Sequence, residues 1–183
     1  MATISREVHL IEYPEGLPDA SQFQIVETTV DDPATGEFLI QNQYMSGEPA
    51  MRPRLSNGQQ RLHQAMGAGT IGVVTASRHS AFAEGDVVQH GLGFREHVLS
   101  DGRGVNHLDA AGFSPTLYMH VLGPTGFTAW GGMLITGELK DGENVFVSAA
   151  AGAVGSVAAQ IARIKGCYVI GSAGSAEKCE WLE

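Results

Sequence analysis

Apolar residues recur with one period in the first part of the chain and another in the last part. The change falls near Asp109. Before it, short β-branched and apolar runs at 8–12, 24–30, 37–44, 69–76, 87–90, 95–99 and 105–108 predict strands. Turn residues separate them, as in Tyr13-Pro14-Glu15-Gly16-Leu17-Pro18, Asp31-Asp32-Pro33-Ala34-Thr35-Gly36 and Asp101-Gly102. The polar stretch 51–67, with Pro53, Asn57 and Gly58, predicts a loop. Many short strands at close spacing suit a small β-barrel. After Asp109 the pattern predicts helices at 114–122 and 125–139, parted by Gly123-Pro124. The segment 117–137 lacks Asp, Glu, Lys and Arg, but His120, Pro124 and its glycines make it buried helical structure broken by a turn, not a membrane span. Two domains are expected, 1–124 and 125–183, with the seam near 123–128 and no flexible linker.

The stretch 145–178 reads strand, glycine turn, helix, strand and the start of a second helix. Val145-Phe146-Val147-Ser148 suits a buried strand. Ala150-Ala151-Gly152-Ala153-Val154-Gly155 follows, a G-x-G-x-x-G pattern with Ala in the first glycine position. Val154, Val157, Ile161 and Ile164 fall on one face of a helix, Gly166 stands where that helix should end, and Cys167-Tyr168-Val169-Ile170 forms the next strand. A pyrophosphate must come close to unbonded N–H groups at a helix start, where the macrodipole favours an anion. Gly152 removes the Cβ that would block that approach, and Gly155 lets the helix pack on the strand. An NAD site carries Asp or Glu about 20 residues past the glycines to hold the ribose 2′-OH. Here Gly171-Ser172-Ala173-Gly174-Ser175 holds no acid, and Lys178 follows in the first helical turn, where the dipole disfavours a cation. Small hydroxyls plus a cation suit a 2′-phosphate, hence NADP(H). Glu177 turned inward would instead permit NAD. The candidate cofactor-binding residues are Ala151, Gly152, Ala153, Val154, Gly155, Ser175 and Lys178.

Composition narrows the partners. The 183 residues carry 11 basic and 20 acidic side chains, a net charge of −9, which argues against nucleic acid and an anionic membrane surface. An anionic cofactor therefore needs local help of the kind the glycine turn supplies. Two cysteines, Cys167 and Cys179, exclude a disulfide framework and a Cys-rich structural zinc site, and point to the reducing cytoplasm. The first residues, Met1 to Glu7, carry no apolar signal core. His63, His79, His90, His97, His107 and His120 fall at no zinc-ligand spacing, so no metal is expected.

Four segments resemble the medium-chain dehydrogenase/reductase superfamily, and within it the zinc-independent branch of NADP-dependent alkenal, prostaglandin and curcumin reductases. Tyr44-Met45-Ser46-Gly47-Glu48-Pro49-Ala50-Met51-Arg52 is similar to the branch's Y-x-S-x-D-P-Y-M-R, and 76–88 to its motif leading into a strand. Leu122-Gly123-Pro124-Thr125-Gly126-Phe127-Thr128-Ala129-Trp130 is similar to L-G-x-x-G-x-T-A-Y, and 149–157 to its phosphate turn. The resemblance implies a GroES-like β-barrel catalytic domain followed by the first βαβ part of a Rossmann dinucleotide-binding domain, an α/β plus β architecture. It implies hydride transfer from NADPH to the β-carbon of an α,β-unsaturated ketone or aldehyde, without zinc, by a homodimer in the full-length form. It places Thr128 at the nicotinamide end, where the bland alternative is a hydroxyl bonded to its own helix. It places Tyr44 in the substrate cleft, against a phenol simply facing water. Arg52 and Arg54 are candidates for a cofactor phosphate or for solvated loop arginines. Ala50 and Trp130 replace the branch's tyrosines, so substrate preference should differ.

The chain reaches Glu183 two strands into the first Rossmann half. It therefore reads as an N-terminal portion, inactive alone, with the main catalytic tyrosine expected beyond Glu183. The alternatives are a quinone reductase of the same superfamily, or a non-catalytic module that binds nucleotide or self-associates through its open edge.

Overall fold

The computed structural model describes residues 2–109 and 112–183. The chain divides into two compact units, Met1–Phe113 and Ser114–Glu183. In the first, β1 (Thr3–Leu10) and β2 (Phe23–Val30) pair antiparallel in unbroken register, from Thr3 opposite Val30 to Leu10 opposite Phe23. The sequence pattern places this first strand at 8–12; it begins instead at Thr3. The inward position that hides the alternation is Ser5, fully buried because its hydroxyl donates to the His97 carbonyl at 3.1 Å and accepts the His97 amide at 2.9 Å. A polar side chain pays no burial penalty when both its valences are met.

Five more strands, β3 (Phe38–Met45), β4 (Thr70–Ser77), β5 (Val87–His90), β6 (His97–Ser100) and β7 (Asn106–His107), form an antiparallel sheet in the order β6-β3-β4-β5-β7. Register shifts between Leu39 and Ile40 and between Asn42 and Tyr44 bend it. Bridges Glu7–Arg95 and His9–Ala65 tie the β1–β2 pair to loops at its margin, curling the unit into the expected GroES-like barrel. Inside, Phe38, Ile40, Val74 and Val88 are almost wholly buried, and Phe82 stacks between Phe38 at 4.3 Å and His107 at 4.4 Å. A 3-10 turn (Pro49–Met51) leads into the predicted 51–67 loop, which opens with helix α1 (Arg52–Ser56). Met51 and Leu55 are buried there with Leu10 and Met66. The rest is pinned by Gln60, whose amide donates to the Arg61 carbonyl at 3.1 Å and accepts from the Gly67 N–H at 3.2 Å.

The second unit contains helix α2 (Pro124–Trp130) running into a π-helical turn (Gly131–Thr136), strand β8 (Asn144–Val147), helix α3 (Ala153–Ile164), strand β9 (Tyr168–Gly171) and helix α4 (Ala176–Leu182). β8 and β9 are parallel, Asn144 opposite Tyr168 and Val147 opposite Gly171, with α3 as the crossover. This is the expected first βαβ part of a Rossmann fold. Ala129, Val147, Ala150, Val157 and Ala158 form its core.

Two expectations need correction here. The buried face of α3 is Ser156, Val157, Ala158 and Ala162, whereas Val154 is 40% and Ile164 85% exposed. Small side chains face inward because α2 and the sheet pack closely against this helix, and the larger apolar residues are left outside. Likewise 117–137 is not a buried helix: Phe127 and Ile135 point into solvent, and α2 buries only Gly126 and Ala129. Gly126 leaves no choice, since a Cβ there would lie 1.8 Å from the Val121 carbonyl oxygen. The side of the sheet away from its core shows Phe146, Tyr168 and Ile170, all more than half exposed.

One buried polar contact in the first unit makes its stability depend on pH. His90, 4% exposed at the end of β5, meets the Asn42 Oδ1 on β3 through Nε2 at 2.9 Å and accepts the Leu92 amide on Nδ1 at 3.1 Å. Asn42 in turn donates to the Arg95 carbonyl at 2.8 Å, so the pair fastens the 91–95 loop to the sheet. Burial, then the Arg95 charge, push the His90 pKa down to about 4. The unfolded chain takes up this proton near pH 6.5, the folded chain only near 4. Stability is therefore complete above pH 6.5 and falls as pH drops toward 4, by an amount on the order of 2–3 kcal/mol from this residue. Urea midpoints at pH 7 and pH 5 should differ accordingly, and His90→Gln, which keeps a donor for Asn42, should shrink the difference; an unchanged difference would contradict the assignment.

Candidate nucleotide-binding site

The site lies at the carboxyl ends of β8 and β9, where a parallel sheet presents its loops to a ligand. The two strands stay joined past their last paired residues. The Ser172 amide donates to the Val147 carbonyl at 3.0 Å, and the Ala150 amide donates to the Ser172 carbonyl at 2.8 Å. The chain then turns sharply at Ala149, whose φ of +50° is left-handed. The Gly152 N–H closes back onto the Ala149 carbonyl at 2.8 Å. That same carbonyl oxygen occupies the place a side chain on residue 155 would take, 2.3 Å from an ideal Cβ. Gly155 is thus required by close approach to the preceding turn, which is where helix meets strand, as the spacing suggested. Gly152 is the residue before the helix, with extended φ and ψ, and a Cβ there would stand 3.0 Å from the Ala149 oxygen.

Those inward bonds leave a row of amides without protein acceptors. The first intrahelical bond runs from Ser156 N–H to the Gly152 carbonyl at 2.9 Å, and no side chain caps α3. Among the described residues the N–H groups of Ala151, Ala153, Val154 and Gly155 meet no carbonyl and no side chain. Together with the dipole of a twelve-residue helix, they suit an oxyanion. Gly166, φ +72°, follows the last helical turn and releases the chain into β9.

At the end of β9 no carboxylate appears before Glu177. Ser175 caps α4, its oxygen accepting the Lys178 N–H at 3.3 Å while its own proton stays available. Lys178 is exposed in the first turn, and no ion pair is formed by it among the described residues. Thr128 is exposed on α2, but its hydroxyl donates to the Pro124 carbonyl at 2.7 Å, the bland arrangement. Tyr44, in the first unit, lies one residue before the end of β3, opposite Ile71, and is 43% exposed. Arg52 donates to the Gly16 carbonyl at 3.0 Å, and Arg54 faces solvent. A hollow of about 400 Å³ lined by Arg163, Val169, Cys179 and Leu182 lies among α3, β9 and α4 and includes none of the four unbonded amides. No three His, Cys, Asp or Glu side chains group as metal ligands among the described residues. No helix among them is long and apolar enough to cross a membrane. Two residues act here through main-chain roles that the sequence did not mark, Ala149 and Ser172. Alanine carries no signal for a left-handed backbone, and Ser172 acts through its main chain.

The family described as the N-terminal domain of oxidoreductase matches residues 6–108. The chain belongs to that family, in the branch of the medium-chain dehydrogenase/reductase superfamily that holds NADP-dependent curcumin, prostaglandin and alkenal reductases. This chain is 36% identical to the NADPH-dependent curcumin reductase of Escherichia coli over 175 residues, 93% of this chain and 51% of that protein. It is 38% identical to prostaglandin reductase 1 of Rattus norvegicus, over 92% of this chain and 52% of that protein. Among solved structures it is similar to CurA from Vibrio vulnificus in complex with NADPH, with a TM-score of 0.87 and 37% identity, over 96% of this chain and 54% of that one. The chain spans about half the length of the curated relatives it matches.

The close fit at Gly155 is testable. Gly155→Ala would set a methyl against the Ala149 carbonyl, where only backbone could yield. It should cost about 1–3 kcal/mol of stability in denaturant unfolding, whereas Gly174→Ala, with nothing within 4 Å, should cost under about 1 kcal/mol. Equal costs would contradict the packing role.

Proposed function

We propose that this chain supplies the substrate domain, residues 1–124, and the opening part, residues 125–183, of the cofactor domain of an NADPH-dependent reductase of C=C bonds in α,β-unsaturated ketones and aldehydes. The observation that carries the reading is the row of unbonded amides at Ala151, Ala153, Val154 and Gly155, set at the carboxyl end of a parallel strand pair. In this reading they hold the diphosphate, and Gly152 gives it room. The Ser175 hydroxyl proton and the Lys178 ammonium take the 2′-phosphate, because no carboxylate stands there to hold a 2′-OH. Thr128 lies toward the nicotinamide end and Tyr44 toward the substrate cleft. The relatives' printed names, an NADPH-dependent curcumin reductase and a prostaglandin reductase, support the cofactor and the enone class.

The bound cofactor supplies the hydride. The protein's share is to bind and orient it, to keep water out, and to place a donor near the carbonyl oxygen as enolate charge grows. The reading needs no zinc. A small-molecule substrate, a homodimeric full-length form and a cytoplasmic setting complete it, the last supported by two cysteines that are both free, one of them exposed.

The test is a fluorescence titration of the chain with NADPH and with NADH. NADPH should bind saturably and more tightly, and Lys178→Ala should weaken NADPH by about 5- to 20-fold while changing NADH less than twofold. Equal effects on the two nucleotides would remove the 2′-phosphate assignment. A full-length form should oxidise NADPH with a small enone; turnover with quinones alone would replace the enone reading.

A further inference from the structure

Ala149 is left-handed at φ +50°, a conformation that costs an L-residue with a Cβ about 1 kcal/mol or more and that sequences normally give to glycine or asparagine. Its side chain is exposed, so packing of the methyl group does not explain the residue. Its main chain does three things at once. Its carbonyl accepts the Gly152 N–H at 2.8 Å. That oxygen fills the space left by the missing Cβ of Gly155. The next amide, of Ala150, is drawn inward to the Ser172 carbonyl at 2.8 Å. These contacts all lie on the inner side of the turn, and the first of the four amides with no acceptor, that of Ala151, follows directly. An extended or right-handed backbone at 149 would swing the carbonyl off the Gly155 Cα and rotate the following peptides.

We propose that Ala149 is a positioning residue for the cofactor: its left-handed backbone sets the direction in which the amides of Ala151, Ala153, Val154 and Gly155 face the diphosphate. This rests on the nucleotide-binding reading above and names the element that orients the site.

Because side chain 149 is exposed, variants can separate backbone conformation from size. Asparagine and valine are similar in bulk, but asparagine tolerates φ above zero and a β-branched residue does not. In the 183-residue chain, Ala149→Gly and Ala149→Asn should bind NADPH within about twofold of the parent, and Ala149→Val about tenfold or more weakly. Adenosine 2′-monophosphate has no diphosphate bridge, and its affinity should be the same in all four proteins. Melting temperatures and far-UV circular dichroism identify any variant that does not fold. Undiminished NADPH affinity in a folded Ala149→Val would overturn the proposal, as would parallel loss of NADPH and adenosine 2′-monophosphate. Should Ala149→Val not fold, a folded Ala149→Asn that has lost NADPH affinity overturns it, and one that retains it supports it. Failure of the parent chain to bind NADPH at all would count against the nucleotide-binding reading itself.

Discussion

The second unit depends on the place where a carbonyl oxygen sits against an α-carbon. The Ala149 oxygen lies where a Cβ on Gly155 would be, and that contact fixes how closely the first turn of α3 approaches the end of β8. From it follow the short turn and the fastening of Ala150 to Ser172 on the neighbouring strand. The start of α3 is then left with amides that nothing in the protein satisfies. The first N–H groups of a helix have no intrahelical acceptor, and here no side chain takes their place. In a helix start the dipole adds to their partial positive charge, so the chemistry that completes them is anionic. The net charge of −9 makes this local arrangement more telling, since nothing in the overall field draws a phosphate to the chain.

The first unit is organised differently. Its order comes from polar side chains bonded to main chain: Ser5, buried between its two bonds to His97, Asn42 joining His90 to the 91–95 loop, and, nearer the surface, Gln60 clamping 61–67. Arg6 adds a surface tie, bonding the Glu96 carboxylate through its guanidinium and its amide, which holds that carboxyl near a pKa of about 2. Such bonds each add little to net stability when satisfied, but leaving one partner buried alone is expensive, and so they select one arrangement of strands over others.

That contrast explains what the sequence disclosed. The β8–α3–β9 unit was legible because its signals are local: β-branched strands, a glycine turn and a helix ended by Gly166. The barrel's strands were legible where turn residues flank them, but β1 was misplaced because Ser5 is polar and yet buried. The helix α1 and the Gln60 clamp were hidden within a polar stretch, since a single glutamine gives no sign of which carbonyls it will meet. The α3 face was misjudged at Val154 and Ile164, because hydrophobicity alone does not say that alanines will occupy the tight side of a helix. The segment 117–137 carries apolar side chains on a surface of this chain, Phe127 and Ile135 among them, which a count of charges could not foresee. For the candidate site, the glycines were found by spacing. Ala149, whose backbone angle matters more than its side chain, was not.

The most direct measurement of the central claim is the change in backbone amide NMR signals of the chain as NADPH is added. The account predicts that the N–H resonances of Ala151, Ala153, Val154 and Gly155 move most, downfield as they gain an oxyanion acceptor, with Lys178 and its neighbours next. Saturable NADPH binding that leaves those four amides unmoved and shifts residues elsewhere would contradict it.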